Sequence, residues 1–485
     1  MQDPLLSADK TPLVFGTDTE ISSFTDEPTN IETGKKKRMT FLPLAAAILF
    51  GLFYVLPIMN ENPSAHSCFA ILVVVSFLWA TEGIPAYATS YLVPALAIWL
   101  QISIDDETHL RLSGAEAANN FSYKFMDPII FIFLGSMTMS EGLTKLNITD
   151  RVSRFVFKNL SKNPKVILLT LMLLNLFIAA FLSNVASTTL LLTFTIPIIR
   201  SLDPDDPFIK SLLFGIAWSG NCGGMPTTIA SPQNVLALKY MQESDTANVQ
   251  FVEWMAFGFP VSLLLCVAEW GYLVWKFKPK RERITVMEQT QELAPWGLKH
   301  TYTVAITFIT IFLWTIQEKL PGILGNIGIT SLIPVITFFG SGMLTIEDFH
   351  SIRWSTLSLM GGGLALGEAM KASGLLNLLA ETTGDLLKKV PTWPLLLIFL
   401  LLTGVFASLI NSTSAASILY PVIAILSKNT GHSGLFVSLC ALQISGAQLF
   451  HISSFPNALT SGVCKHLPGQ PDQITHFNFI EGPEY

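Results

Sequence analysis

Long apolar runs fill most of this 485-residue chain, and several of them are interrupted at their centres by polar residues. A helix needs roughly 20 apolar residues to cross a lipid bilayer. Segments of this kind are predicted near 41–59, 66–83, 86–102, 127–144, 166–199, 208–242, 253–276, 299–317, 328–344, 354–373, 392–424 and 434–463. Charged residues make up only 13% of the chain, whereas soluble domains carry about 25%. The sequence therefore predicts an all-α polytopic membrane protein.

Four of these segments do not fit a single straight helix. Three are far longer than one span requires, namely 166–199, 208–242 and 392–424, and polar residues break the fourth, 434–463. Irregular backbone is tolerated inside a bilayer only where it is buried in protein or lines a cavity. We therefore expect 166–199 and 392–424 to be re-entrant hairpins, and 208–242 and 434–463 to be broken helices.

Basic residues cluster in three connections, at 35–38, 151–165 and 277–284. All three fall on one side of the membrane if 166–199 is re-entrant, and the positive-inside rule makes that side cytoplasmic. The predicted domains are a disordered cytoplasmic tail (1–38), a first transmembrane repeat (39–277), a cytoplasmic linker (278–298) and a second transmembrane repeat (299–485).

The two halves of the chain resemble each other in order. "FLGSMTMSEGLTK" (133–145) matches "LMGGGLALGEAMK" (359–371), and "LSNVASTT" (182–189) matches "LINSTSAAS" (409–417). Chance similarity between apolar segments is the alternative, but the matched residues include Asn and Glu, which are among the rarer residues of these segments. Because the second half enters from the opposite side, the pattern indicates an inverted repeat, the usual architecture of secondary transporters.

The polar patches lie where the hairpins are expected to turn. Ser183-Asn184 and Asn411-Ser412-Thr413 would then stand near mid-membrane, each just before a helix whose N-terminus carries a positive dipole end. Two such ends facing each other would bind a small oxyanion without any arginine. Tip carbonyls could also coordinate Na⁺. For any single hydroxyl, helix packing is the simpler explanation.

Titratable residues inside the predicted spans are few. His451 could carry a proton, or could only hydrogen-bond within its broken helix, so the coupling ion stays open between Na⁺ and H⁺. Helical spacing suggests structural ion pairs between Glu141 and Lys145 and between Glu368 and Lys371. The sequence contains no Walker A motif, nucleophile elbow or metal-ligand cluster. We therefore expect no enzyme, no cofactor and no nucleic-acid partner.

The paired tips, each followed by a broken helix that ends in Pro-x-Asn or Pro-Asn, resemble the divalent anion/sodium symporter family. Its members carry di- and tricarboxylates, sulfate or phosphate. "LSNVAS", "GGM" and "IASPQNV" look most similar to its branch of low-affinity phosphate transporters of fungi and protists. The resemblance covers about residues 40–485. It implies a homodimer in which each protomer has a static scaffold domain and a transport domain that moves by an elevator mechanism.

The resemblance also implies roles for individual residues. An ion site would combine the first tip with the first broken helix, and the substrate would lie between the two tips. The implied cation-binding residues are Ser183, Asn184, Gly223, Gly224, Thr227 and Asn411. The implied substrate-binding residues are Ser183, Asn184, Asn411, Ser412, Thr413, Ser453, Ser454 and Pro456.

Three departures from the family pattern qualify the resemblance. Val185 stands third in the first tip, where the family has threonine, which favours phosphate over a dicarboxylate. The SPX domain often fused to this branch is not expected in a 38-residue tail, and the final scaffold helix is expected to be missing after Tyr485.

We therefore expect an ion-coupled phosphate transporter of the plasma membrane or a vacuole-like organelle. A di/tricarboxylate or sulfate symporter is the alternative within the class. A non-transporting truncated isoform or a substrate-sensing receptor is the alternative outside it.

Overall fold

A computed structural model describes residues 32–59, 61–105, 110–158, 160–203, 206–243, 249–279, 293–317, 320–387, 390–428, 430, 432–450 and 453–464. Most of these residues are helical, as predicted. The helices are α1 (Glu32–Val55), α2 (Pro63–Thr81), α3 (Ala86–Trp99), α4 (Gly114–Phe125), α5 (Pro128–Lys145), α6 (Ile148–Lys158), α7 (Pro164–Phe181), α8 (Asn184–Arg200), α9 (Pro207–Cys222), α10 (Pro232–Glu243), α11 (Phe251–Phe277), α12 (Leu298–Ile316), α13 (Pro321–Leu324), α14 (Ile327–Thr330), α15 (Leu332–Gly340), α16 (Ile346–Ser351), α17 (Trp354–Ala372), α18 (Leu375–Leu387), α19 (Thr392–Leu409), α20 (Ser412–Lys428), α21 (Ser433–Ser445) and α22 (Phe455–Cys464).

Four described helices, α2, α7, α11 and α19, are long and apolar enough to cross a membrane by themselves. A fifth span results if the helices over 114–145 and 148–158, which meet at 60°, are counted as one bent pair. Other apolar helices are shorter, at 10–17 residues. The predicted straight span at 328–344, for example, is divided at Ser331 into α14 and α15. Several apolar helices in one chain make this a multi-pass membrane protein.

The sequence analysis missed three amphipathic helices, α4, α6 and α18, in regions read as connections. α4 begins with a capping box, in which Ser113 and Glu116 satisfy each other's backbone N–H groups. Charged residues recur along one face of each helix, so a search for continuous apolar runs passes over them. α1 begins at Glu32, inside the segment predicted to be a disordered tail.

Each of the four polar segments consists of two helices. α7 and α8 are separated at Leu182–Ser183, and α19 and α20 at Ile410–Asn411. The other two interruptions are longer, with 223–231 between α9 and α10, and with 446–450 and 453–454 as the described residues between α21 and α22. Glycine and proline are concentrated in the first of these, at Gly223, Gly224 and Pro226, where they disfavour a continuous helix.

The two interrupted helices exchange neighbours at their breaks. α9 packs with α7, α8 and α22, around a core that includes Leu171, Leu212 and Ile216. α10 packs instead with α20 and α21, around a core that includes Leu236 and Phe436. The breaks therefore lie where the two groups of helices meet.

Small residues allow α17 to approach helices on two of its sides. A Cβ on Gly362 would lie 2.4 Å from the Cβ of Ser90 on α3. A Cβ on Gly363 would lie 2.2 Å from Oγ of Ser417 on α20. Since these distances are shorter than real Cβ contacts, only glycine permits this packing.

The ion pairs connect different helices, which corrects the pairing predicted from helical spacing. Lys145 pairs with Asp348 of α16 rather than with Glu141. Glu368 lies 3.4 Å from Nζ of Lys124 on α4, so Lys371 is not its ion-pair partner. Helical spacing reports only contacts within one helix, and here tertiary packing brings an oppositely charged residue from another helix.

Candidate functional site

The first tip consists of Ser183 and Asn184, between α7 and α8. Ser183 is buried, has an extended backbone and does not cap α8 with its side chain. Its hydroxyl therefore remains available as an acceptor, and Arg353 donates to it from Nη2 across 2.8 Å. Arg353 precedes α17 in the sequence, and its guanidinium also lies 5.9 Å from the ring centre of Phe455.

The loop at 223–231 packs against this tip. Thr227 donates from Oγ1 to the carbonyl of Ala180, at the end of α7. A Cβ on Gly223 would lie 2.4 Å from that of Ala179, and a Cβ on Gly224 would lie 3.5 Å from Nδ2 of Asn184. The structure thus places Gly223, Gly224 and Thr227 against the hairpin that carries Ser183 and Asn184.

Two hydroxyls of this loop are buried without a hydrogen-bond partner among the described residues. They are Oγ1 of Thr228 and Oγ of Ser231. Ser231 is next to Gly224, because a Cβ added there would lie 2.5 Å from its Oγ. Neutral hydroxyl and carbonyl oxygens are suitable ligands for a hard cation. The described residues contain no group of three His, Cys, Asp or Glu placed to hold a metal ion.

The second tip precedes α20. Asn411 accepts a hydrogen bond at Oδ1 from the backbone N–H of Thr413 across 3.0 Å, which closes the first turn of the helix. Thr413 is buried, whereas Asn411 and Ser412 are partly exposed. Ser414 has a buried hydroxyl without a described partner. This tip therefore presents hydroxyl and amide groups at the N-terminus of a helix, as the first tip does.

The loop at 446–454 contains the second set of predicted substrate residues. Ser453 donates to the carbonyl of Phe450, and Ser454 accepts from the backbone N–H of Asn457 across 3.3 Å. Both serines therefore hold the loop in shape. Pro456 lies against α9, since a Cβ added to Gly220 of that helix would be 3.4 Å from the Cβ of Pro456. His451 lies outside the described residues.

Amide side chains join the two interrupted helices. Asn221 donates from Nδ2 to Oδ1 of Asn457 across 3.0 Å, and both residues are buried. Gln233 donates from Nε2 to Oγ of Ser445 across 2.9 Å. These contacts lie on opposite sides of the breaks and align the two loops with each other.

The structure brings the first tip together with the first loop, but no direct hydrogen bond joins the described residues of the two tips. Two charged residues at the site were given no role by the sequence analysis. Arg353 supplies a positive charge at a site expected to need no arginine. Glu269 of α11 contacts both interrupted helices. The sequence signal for each was a charged residue within or directly before an apolar run.

Comparisons with known proteins agree with this architecture. The family model described as "citrate transporter" matches residues 76–442. The solved structure of the Alcanivorax borkumensis YdaH transporter has a similar fold, with a TM-score of 0.54 and 15% identity, over 80% of this chain and 92% of that one.

Several curated transporters are similar in sequence. An uncharacterised transporter of Schizosaccharomyces pombe is 34% identical over 84% of this chain and 47% of its own length. The inorganic phosphate transporter PHO87 of Saccharomyces cerevisiae is 29% identical, over 82% and 43%. A sodium-dependent dicarboxylate transporter, SdcS of Staphylococcus saprophyticus, is 24% identical, over 87% and 86%.

The chain spans about half the length of the fungal relatives that it matches. The family model nevertheless covers most of the chain, including both tips and the first interrupted helix. These matches indicate a transporter rather than an enzyme, and they confirm the resemblance recognised in the tip motifs. The chain belongs to the citrate transporter family, within the divalent anion/sodium symporters.

Proposed function

We propose that the protein is an ion-coupled secondary transporter of a small oxyanion, inorganic phosphate above all, that works by an elevator mechanism. The observation that carries the proposal is that a buried bond from Asn221 to Asn457 joins the two interrupted helices, and that the first tip packs against the first of their breaks. Such interruptions supply substrate and ion sites in secondary transporters.

The anion site is proposed to lie between the two tips. α8 and α20 each begin within a tip, so their positive dipole ends favour an anion. Arg353 adds a full positive charge beside Ser183. Phosphate can accept hydrogen bonds on all four oxygens, which suits a site rich in hydroxyls and amides.

A Na⁺ site is proposed beside the first tip. Gly224 lies close to both Asn184 and Ser231, and the partnerless hydroxyls of Ser231 and Thr228 could each donate a lone pair to a cation. Such a site would bind Na⁺ through neutral oxygens, so the bound cation would add one positive charge to the loaded carrier. The sodium dependence in the name of the staphylococcal relative supports this choice.

The choice of phosphate rests on sequence likeness. The yeast relative is named as a phosphate transporter, and Val185 replaces the tip threonine found in dicarboxylate carriers. A di- or tricarboxylate is the second candidate, because the matching family model is described as a citrate transporter.

The elevator proposal rests on the packing of α17. Its glycine positions face α3 on one side and α20 on the other, so small residues line part of each contact. We propose that α3, α4 and α17 belong to the scaffold, and that the helices around the two breaks move past them. By family likeness, two copies would associate through their scaffolds as a homodimer.

The test is uptake of labelled phosphate into proteoliposomes, with and without an inward Na⁺ gradient, with unlabelled succinate, citrate and sulfate as competitors. Phosphate uptake that resists all three competitors supports the phosphate assignment. Competition by citrate or succinate would move the protein to the carboxylate carriers. A folded protein that takes up none of these anions would favour the non-transporting alternative.

A further inference from the structure

Glu269 lies between the two interrupted helices, although it belongs to neither. It is on α11, and its carboxylate accepts two hydrogen bonds. Cys222, the last residue of α9, donates from Sγ to Oε2 across 3.2 Å. Gln448, in the loop before α22, donates from Nε2 to Oε1 across 3.0 Å. One carboxylate thus connects the break of the first repeat with that of the second.

These bonds are part of a closed hydrogen-bond network. Cys222 follows Asn221, which donates to Asn457. Asn457 in turn donates from Nδ2 to the backbone carbonyl of Gln448 across 3.2 Å. Any change in the charge of Glu269 therefore acts on both loops at once, and these are the loops that carry the candidate ion and substrate residues.

No positive charge compensates this carboxylate among the described residues. The titratable groups that face it are Cys222 from α9 and Cys266 from its own helix, and a thiol is never a cation. α7 contributes the backbone carbonyl of Lys165, which accepts from Trp270, while the lysine side chain is exposed. An ionised carboxylate without a cation is costly inside a membrane protein. Binding a proton removes that charge.

The neighbouring amide can serve either protonation state. Oε1 of Gln448 is buried and has no hydrogen-bond partner among the described residues. Rotating the amide by half a turn would exchange Nε2 for Oε1. The ionised carboxylate then accepts from Nε2, whereas the protonated acid donates to Oε1. A carboxyl group that has a hydrogen-bond partner in both its ionised and its protonated form can gain and lose a proton without breaking the hydrogen-bond network.

We propose that Glu269 binds the proton that accompanies the anion across the membrane. The proton is taken up from the side where the anion binds and is released with it, so the carrier is an anion–proton symporter at this residue. The inference rests on the proposed function, because it assumes that the anion is transported.

The test compares the wild type, Glu269→Gln and the control Glu347→Gln, an exposed glutamate of α16, in proteoliposomes. Na⁺ is kept equal on both sides throughout. Labelled phosphate exchange is measured at equal pH on both sides, and accumulation is measured with the outside one pH unit more acidic. Because every variant meets the same mixture of phosphate species, differences between them report on the protein. Coupling of one proton per anion allows about tenfold accumulation per pH unit.

The proposal expects the wild type and Glu347→Gln to accumulate phosphate, and Glu269→Gln to keep exchange but lose accumulation. Gradient-driven accumulation by Glu269→Gln would overturn it. If that variant also loses exchange, Glu269→Asp, which keeps an ionisable carboxylate, decides. Accumulation by Glu269→Asp supports the proposal, and its absence overturns it. Failure of the wild type to exchange phosphate would instead reject the phosphate assignment, and the same comparison would be run with labelled succinate.

Discussion

Asn234 and Asn457 make the same contacts in the two halves of the protein. Nδ2 of Asn234 donates to the carbonyls of Gly224 and Thr227, across 2.7 and 2.8 Å. Nδ2 of Asn457 donates to the carbonyls of Gln448 and Phe450, across 3.2 and 3.1 Å. Each asparagine therefore ties the loop that precedes it to the start of the following helix.

Removing either amide should loosen its loop. Two buried carbonyls lose their donor in Asn234→Ala, and two part-buried carbonyls lose theirs in Asn457→Ala, at a cost of about 1–3 kcal/mol. We expect anion uptake to fall at least tenfold in both variants at matched reconstitution levels. Asn119→Ala, on the exposed face of α4, is the control. Wild-type uptake by both variants would show that these bonds do not shape the site.

The tip asparagines should be needed for transport itself. Asn184 and Asn411 stand at the two helix N-termini, and their replacement by alanine removes amide groups from the proposed binding region. Each variant is expected to be expressed and folded normally, as judged by size-exclusion chromatography, but to show no phosphate uptake. Full phosphate transport by both variants would contradict the assignment of the tips to the binding region.

The closeness of Gly224 to Ser231 predicts a steric effect. In Gly224→Ala the new Cβ would lie 2.5 Å from Oγ of Ser231 and 3.1 Å from the carbonyl of Asn221. Overpacking of this kind costs about 1–3 kcal/mol, so the thermal midpoint and the uptake rate should both fall. Gly271→Ala on α11 is the matched control, since its Cβ would meet nothing within 4 Å. Equal behaviour of the two variants would contradict the packing described for this loop.

Arg353 should set the affinity for the anion. A hydrogen bond to a charged group contributes about 1.5–3 kcal/mol, so Arg353→Ala should raise the KM for phosphate about 10- to 100-fold. Arg353→Lys keeps the charge but loses the planar guanidinium group, so its KM should lie between those of the wild type and Arg353→Ala. Lys158→Ala, an exposed lysine of α6, should leave the KM unchanged. An unaltered KM in Arg353→Ala would remove this residue from the anion site.

The helix interruptions were predictable because neighbouring residues in the sequence mark them. Polar residues at Ser183 and Asn411, with glycine and proline at 223–232, mark points where a helix ends whatever packs around it. The helices α4, α6 and α18 were missed because their apolar residues are spaced along one face rather than continuous.

The partners of charged residues could not be predicted in the same way. Arg353 meets Ser183 across 170 positions of sequence, and Gln448 meets Glu269 across 179. Neither separation follows any helical period, so only the packing of the two repeats reveals these contacts. The same holds for Lys145, whose partner Asp348 comes from a different helix.

The most direct test of the central claim is a cryo-electron microscopy structure of the protein in nanodiscs saturated with phosphate. The account predicts a tetrahedral density between the tips, within hydrogen-bonding distance of Asn184 and Thr413 and close to Arg353. Density at another place, with the space between the tips filled by side chains, would contradict it.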